Sequence, residues 1–397
     1  MKNFTHLLCI PLLFLVVNGY SQSNTPDEAS EQHSERTSFL GNTKALITGS
    51  AWFGVAYNKK EDVKLNFNSY GFTPVFIWKL SDKMFLESEL EIADGNIELE
   101  YAKLSYSINK YMTIGAGRML TPFGAYGERW EPAFVERFPN SPLIPDDQYL
   151  PDDTHLYYGA IMGIDISGDV PLGGSRLNYN LFISNGPSLA RSEETGELLG
   201  GVVQYENLDD NNTNKGIGGR IGFYPFANSS LEVGISGNTG KPGDEKAEDG
   251  TDSPYKDITA NALAFDLNYV KAIPSISSII SVKGQFSSVT VDKANYTLSD
   301  STLYTYDNSL KSFFAQLSFR PATVNSTFLK NIELLYRYNV LTPPEEAVWG
   351  GKPITRNDFG LCYWLSWRTG LRFAYETTTQ ESSETKNEFL ARFVMGF

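Results

Sequence analysis

From Lys44 to Phe397 the chain repeats one pattern: short segments of alternating apolar and polar residues, with aromatic ends, separated by turn residues. Sixteen such segments can be marked: 44–58, 63–80, 83–93, 97–108, 112–120, 156–168, 174–186, 215–225, 230–239, 258–272, 277–291, 308–319, 328–340, 355–367, 368–378 and 386–397. In a strand, successive side chains point to opposite faces, so alternation at period two predicts one apolar and one polar face. Leu177, Tyr179, Leu181 and Ile183 alternate with Asn178, Asn180, Phe182 and Ser184. Ile332, Leu334, Tyr336, Tyr338 and Val340 alternate with Glu333, Leu335, Arg337 and Asn339. Segment 97–108 changes phase near Tyr101 to Lys103, which predicts a bulge there.

The connections sort by parity. The odd ones include 121–155, 187–214, 240–257, 292–307 and 341–354, all long and rich in Asp, Asn, Glu, Gly and Ser. The even ones include 81–82, 109–110, 169–173, 226–229, 273–276 and 321–327, all short. A transmembrane antiparallel β-barrel has short periplasmic turns and long external loops, and that sorting is the signature here. The expected fold is therefore all-β, a barrel of about 16 strands, with 14 or 18 as the alternatives. An even count returns both termini to the periplasmic side. Aromatic residues at strand ends (Trp52, Trp78, Tyr224, Trp367) suit membrane interfaces. The competing reading is a soluble all-β protein with an aromatic core. Many strands carry polar residues on the opposite face, which a soluble core would not bury.

Composition narrows the picture. Residues 1–21 read as a signal peptide: Lys2, an apolar run from Leu7 to Val17, then Gly19 and Ser21 ahead of a cleavage point before Gln22. That run is too short to span a bilayer, and no apolar run reaches 18 residues. Residues 22–42 are polar and aperiodic and read as a disordered periplasmic lead-in; 43–397 form the barrel. Cys362 alone remains after processing, so no internal disulfide forms. A net charge of −14 argues against nucleic acid as a partner.

The stretch from Gly117 to Pro145 stands apart. It carries Trp130, Phe134 and Phe138, five prolines after Leu120, and charges of both signs. A loop of about 35 residues is uncommon and tends to be functional. The expectation is that it folds into the lumen and narrows it, with Glu128, Arg129, Glu131, Glu136 and Arg137 as the constriction. Arg129 and Arg137 facing the three glutamates would set a transverse field between low-dielectric walls. Inward glycines such as Gly115, Gly117 and Gly159 would leave room for the loop. Two alternatives stand beside this. The loop lies over the outer rim, or its charges pair with each other and merely hold it.

Catalytic chemistry finds little support. After processing only His33 and His155 remain, and no serine or acid is spaced to work with His155. The pairs Asp146-Asp147, Asp152-Asp153 and Asp209-Asp210 lack the spacing of a cation loop. Gly216, Gly218 and Gly219 lie on a strand with no helix following, so no dinucleotide site is expected. No cofactor, no metal and no enzymatic activity are expected.

With these residues on the page, the chain resembles a Gram-negative outer-membrane porin. The last strand ends in Phe389, Phe393 and Phe397, similar to the terminal signal read by the barrel-assembly machinery. The long loop falls between strands 5 and 6, where trimeric porins place their pore-narrowing loop. The stretch GRMLTPFGAYGERWEPAFVERFPNSPL resembles a segment of the phosphate-selective porins and their Bacteroidota-type relatives. The resemblance implies passive diffusion of small hydrophilic solutes or ions through a channel in the outer-membrane lipid, and leaves a homotrimer open. A non-conducting structural or binding barrel, whose external loops contact polysaccharide or a partner, is the alternative function.

One departure bears on selectivity. Phosphate-selective members line the lumen with Arg and Lys. Here the expected lumen set is mixed: Lys79, Arg220, Arg337, Arg372 and Arg392 against Glu87, Glu89, Glu91, Asp165, Glu333 and Asp358. Weak ion selectivity is expected. A reversal potential in a salt gradient should lie far from the ideal anion limit, and a value near that limit would contradict this reading.

Overall fold

A computed structural model describes residues 44–397 apart from 60–63, 131–132, 145–158, 193–194, 209, 248 and 298–302. The expected signal peptide and lead-in lie outside the described residues. So do Glu131, His33, His155, Asp146, Asp147, Asp152, Asp153 and Asp209.

The strands are β1 (Ala45–Tyr57), β2 (Leu65–Lys79), β3 (Met84–Ala93), β4 (Asn96–Asn109), β5 (Met112–Leu120), β6 (Ala160–Leu172) and β7 (Ser175–Ser184). A loop hairpin follows, β8 (Ser188–Arg191) and β9 (Leu198–Gln204). Then come β10 (Gly216–Tyr224), β11 (Leu231–Gly240), β12 (Ala260–Ile273) and β13 (Ser278–Val291). A second small hairpin is β14 (Tyr296–Thr297) and β15 (Leu303–Tyr304). The last strands are β16 (Ser309–Arg320), β17 (Ile332–Thr342), β18 (Ile354–Trp364), β19 (Thr369–Gln380) and β20 (Lys386–Gly396). Leaving out the two loop hairpins, sixteen strands close into one antiparallel barrel.

Closure runs from Ser50↔Gly396 to Tyr57↔Phe389 between β1 and β20. Phe397 extends the seam beyond β20. Its N–H donates to Gly49 O at 3.0 Å, and Gly49 N donates back at 3.2 Å. Arg368 Nη1 and Thr48 Oγ1 also donate to Phe397 O, at 2.9 and 2.6 Å. The Phe397 ring stacks on Phe72 of β2 with centroids 5.4 Å apart. A closed ladder leaves no edge with unpaired backbone groups, which is what a strand structure needs in hydrocarbon.

The alternation sorts polarity inside out. On β11, Val233 and Ile235 are exposed on the outer face while Glu232, Ser236 and Asn238 are buried inside. β12 repeats this with Leu263, Phe265 and Leu267 outside and Asp266 inside. Phe389, Phe393 and Phe397 are exposed on the outer face too. Among the described residues no helix is long and apolar enough to cross a membrane; the strands present the apolar surface instead.

Several boundaries moved for local reasons. β6 runs through Pro171 because the turn is Gly173-Gly174, with φ +67° at Gly173. The turn expected at 169–173 is displaced accordingly. β17 begins at Ile332 because a helical turn, α1 (Thr327–Lys330), precedes it, capped by Ser326 Oγ accepting from Leu329 N. The bulge expected near Tyr101 lies at Glu100. Glu89 pairs with Tyr101 and Leu90 with Leu99, so Glu100 is the extra residue. The parity rule has exceptions: the odd connection between β19 and β20 is the five residues 381–385, while the even one between β16 and β17 runs from 321 to 331. The connection between β3 and β4 is only Asp94-Gly95, both at positive φ (51° and 93°), a tight hairpin turn at the long-loop end.

Over the opposite flank the loop end is thick. Leu189, Val203 and Tyr205 of the 185–215 connection pack with Tyr296 and Tyr306 of the 292–308 connection over β12, β13 and β16. Tyr306 OH and Asn308 Nδ2 both donate at 2.7 Å to carbonyls of β9, Gly200 O and Gly201 O. The β8–β9 hairpin is thereby seated in a hydrophobic cap.

The seam generates a prediction. Deleting Phe397 removes a backbone pair, two acceptor contacts and a ring stack. Refolding into detergent, with no assembly machinery present, should give a barrel of lower stability. In cells its outer-membrane level should fall as well. Unchanged stability in detergent would mean the residue acts on assembly alone.

Candidate functional site

The loop after β5 enters the barrel and follows the inner wall from β10 round to β19. Its first turn is held at mid-height. Gly124 N donates to Ser236 Oγ at 2.9 Å; Ala125 N and Tyr126 N share Gln285 Oε1 at 2.8 and 3.0 Å. A single π-helical turn, Tyr126–Trp130, follows. Tyr126 and Trp130 both meet Phe314 edge to face, and Lys283 Nζ lies 5.3 Å from the Trp130 ring centroid.

The charged residues then reach toward the turn end. Arg129 pairs with Glu232, near the start of β11, and also donates to Tyr224 OH at 3.3 Å. Glu232 is shared with Arg220 at 2.9 Å, and Arg220 grips Asp266 through Nε and Nη2 at 2.9 and 2.5 Å. Arg137 Nη1 pairs with Glu333 at 2.9 Å, and Trp364 Nε1 donates to the other Glu333 oxygen at 2.9 Å. Glu136 turns back on its own loop and accepts from Arg137 N and Phe138 N at 2.7 and 2.9 Å.

The chain climbs again along β17 and β18. Arg337 Nη2 donates to Asn140 O, Asn140 Oδ1 and Ser141 O at 3.0, 2.7 and 3.1 Å. Arg337 Nε binds Asp358 at 2.8 Å, and Arg356 Nε binds the other Asp358 oxygen at 2.9 Å. Arg356 also donates to Ser141 O, Asn140 to Glu376, and Arg372 to Ala133 O. Leu143 N closes the run on Asn339 Oδ1 at 3.1 Å.

Phe138 is the apolar anchor. It is fully buried, stacks under the Arg337 guanidinium at 4.4 Å and fills the space at Gly360, where a Cβ would meet its ring at 2.5 Å. Burying one such ring contributes about 2–3 kcal/mol. Fixing each backbone residue costs about 1–2 kcal/mol. One ring therefore offsets only a couple of residues; the buried Phe123, Tyr126, Trp130 and Leu143 add to it, and the hydrogen-bonded charge network fixes the loop's path.

The glycines expected to make room do other work. Gly115 lets Lys103 and Asp165 cross it and pair at 2.7 Å, and Gly159 faces Glu206. Gly360, which sequence reading passed over, is the one that receives the loop.

The expected constriction residues are thus partly brought together. Among the described residues, the ion-pair partners of Arg129 and Arg137 are the wall acids Glu232 and Glu333, not Glu128 or Glu136. Both remain partly open, with side chains 29 % and 25 % exposed. Glu128 is half-buried beside Arg129. Of the expected lumen residues, Arg220, Arg337, Asp358, Arg372, Glu333 and Asp165 are buried on the inner face. Lys79, Glu87, Glu89, Glu91 and Arg392 are half-buried. Sequence reading missed Glu232, Asp266, Arg356 and Glu376. All four sit at inward positions in the same period-two register, so parity alone would have included them.

Every hydrogen bond described between this loop and the wall lands on β10 to β19. The flank from β1 to β5, with Glu87, Glu89 and Glu91 on β3, receives none of them. An acidic wall thus stands across from the loop's two guanidiniums. In the outer loops Asp210 pairs with Lys215, and among the described residues no group of acids, His or Cys is arranged to hold a metal.

No protein-family model matches the chain, and no curated protein matches it. Solved structures do. OmpF of Salmonella typhi, in complex with daunomycin, superposes with a TM-score of 0.55 at 10 % identity, over 89 % of this chain and 97 % of its own. OprB of Pseudomonas putida gives 0.55 at 8 % identity, over 92 % and 98 %. The anion-selective porin of Comamonas acidovorans gives 0.52 at 13 % identity, over 89 % and 99 %. At these identities the likeness is one of fold, and the fold of this chain is the transmembrane barrel of the outer-membrane porins.

Proposed function

We propose that this chain is an outer-membrane porin, a passive channel for small hydrophilic solutes or ions. One observation carries the reading: the loop after β5 is pinned inside the barrel along one flank, leaving the acidic β1–β5 flank opposite it. A binding protein has no need to seat such a loop in its own lumen. The porins among the solved structures of the same fold support it. In this proposal the residual passage is bounded by Glu128, Arg129, Glu136 and Arg137 on the loop side and by Glu87, Glu89 and Glu91 on the wall side. Glu131 belongs to the same loop segment. Charges of opposite sign across a narrow, low-dielectric passage orient polar solutes. Phosphate selectivity is not part of the proposal, because most lumen guanidiniums are already neutralised by acids or bound to the loop. Homotrimeric assembly and recognition of Phe389, Phe393 and Phe397 by the barrel-assembly machinery belong to it.

The cap over β12, β13 and β16 favours a second reading, a barrel closed at its mouth whose outer loops bind a partner. Single-channel recording in a planar bilayer separates the two. Steady ohmic conductance is expected, and its absence from correctly folded protein would support the closed barrel.

Two sets of variants probe the loop. Deleting 124–138 should raise single-channel conductance. Replacing Arg129 and Arg137 with Ala removes two cations and leaves Glu232 and Glu333, so the reversal potential should move toward cation preference. Gly360→Leu should expel Phe138 from its seat, making the 133–143 segment sensitive to added protease while the barrel keeps its folded mobility on an unheated gel. Unchanged conductance and selectivity in folded variants would place the loop outside the solute path.

A further inference from the structure

Two arginines inside the barrel lack the carboxylate partners that Arg220 and Arg337 have. Arg372 of β19 and Arg392 of β20 are direct cross-strand partners and share the lumen face. Residues in that relation have Cβ atoms about 4.5–5.5 Å apart, and like charges there repel. Arg372 is only 1 % exposed, whereas Arg392 keeps part of its side chain exposed on the lumen face. Among the described residues no carboxylate comes within ion-pairing distance of either. Arg372 spends one N–H on Ala133 O and also lies against the Cys362 thiol, which brings no full countercharge; the Nε of each guanidinium is buried with no hydrogen-bond acceptor.

The carboxylates nearby are committed. Glu136 acts on both arginines from a distance, but one of its oxygens already accepts two loop N–H groups. Glu333 holds Arg137 and Trp364. Asp358 holds Arg337 and Arg356, and Glu376 accepts from Asn140. Asp94 acts on Arg392 only from a distance and accepts from Tyr70 N, while Arg137 and Lys283 add positive charge. The contrast with Arg220 is direct. That residue, equally buried, has two acids of its own.

A buried, unneutralised guanidinium is costly in a low-dielectric site. A second one beside it, open to the lumen, makes the pair a receptor for an anion from solution. Guanidinium forks match the two oxygens of a carboxylate or phosphate far better than a spherical ion. We propose that Arg392, backed by Arg372, is an oxyanion-binding step in the lumen for solutes that carry a carboxylate or phosphate group. Arg392 makes the contact; Arg372 supplies the field behind it and is a positioning residue. This inference rests on the channel reading for its biological use, but the site itself does not.

Calorimetry on the folded full chain in detergent tests the site without conductance. The probes are inorganic phosphate and succinate, with chloride and a neutral trisaccharide as controls. Saturable binding of at least one oxyanion is expected, with none for the trisaccharide and weaker binding of chloride. Arg392→Gln should weaken it by about tenfold or more, and Arg392→Lys by less, since the charge stays and the fork is lost. Arg372→Gln, with Arg392 intact, should weaken phosphate and succinate alike. Folded mobility on an unheated gel is the control for every variant. No saturable binding to wild-type protein, or binding unchanged in folded Arg392→Gln, would overturn the proposal. Conductance in a bilayer without oxyanion binding would remove the site and leave the porin. Binding without conductance would keep the site and remove the channel reading. The preferred probe identifies whether phosphate or carboxylate solutes are the class served.

Discussion

The arrangement of the lumen depends on neutralising buried guanidiniums. Arg337, Arg356 and Arg220 sit in the barrel wall almost without water contact, and an ion so placed needs a countercharge and hydrogen-bond acceptors. Asp358 and Asp266 supply the countercharge; the backbone of Asn140 and Ser141 supplies acceptors for the Arg337 and Arg356 protons left over. The loop is therefore part of the wall's own electrostatic balance. Taking it out would expose protons on Arg337, Arg356 and Arg372 with no acceptor, which is why a segment with so little regular structure is held in one place.

That balance explains the asymmetry of the interior. On the flank from β10 to β19 charge is dense; wall acids pair with most of it and the loop supplies further partners, Arg372 being left, among the described residues, without an acid. On the flank from β1 to β5 the acids of β3 face open lumen. The two flanks arise from the same alternating pattern, and what separates them is the direction in which one loop folds.

The outer architecture was legible because a barrel in lipid obeys a simple rule at every second residue. Segment 230–239 shows that rule and so does the middle of 277–291, and they became β11 and β13 nearly unchanged. Boundaries slipped where local chemistry, invisible to a period count, sets the end of a strand: the glycine pair after Pro171, and the Ser326 cap ahead of β17. The interior was legible by face but not by partner. Period two places Arg337, Arg372 and Arg392 on one side, yet says nothing of what lies across the lumen. Arg129 and Arg137 were read as facing glutamates close in sequence, when their acids come from strands more than a hundred residues and nearly two hundred residues away. Gly360 carried no signal of its own, since only the arrival of Phe138 shows why a side chain cannot be there.

The two-residue turn at Asp94-Gly95 has a geometrical consequence. Elsewhere the loop end of the barrel is built up, most of all where the tyrosine-rich cap seats the β8–β9 hairpin. Between β3 and β4 there is nothing to build with, so the parapet has a notch on that side. The notch stands above Glu87, Glu89 and Glu91. The low side of the rim therefore lies over carboxyl side chains, whereas the high side lies over tyrosine rings.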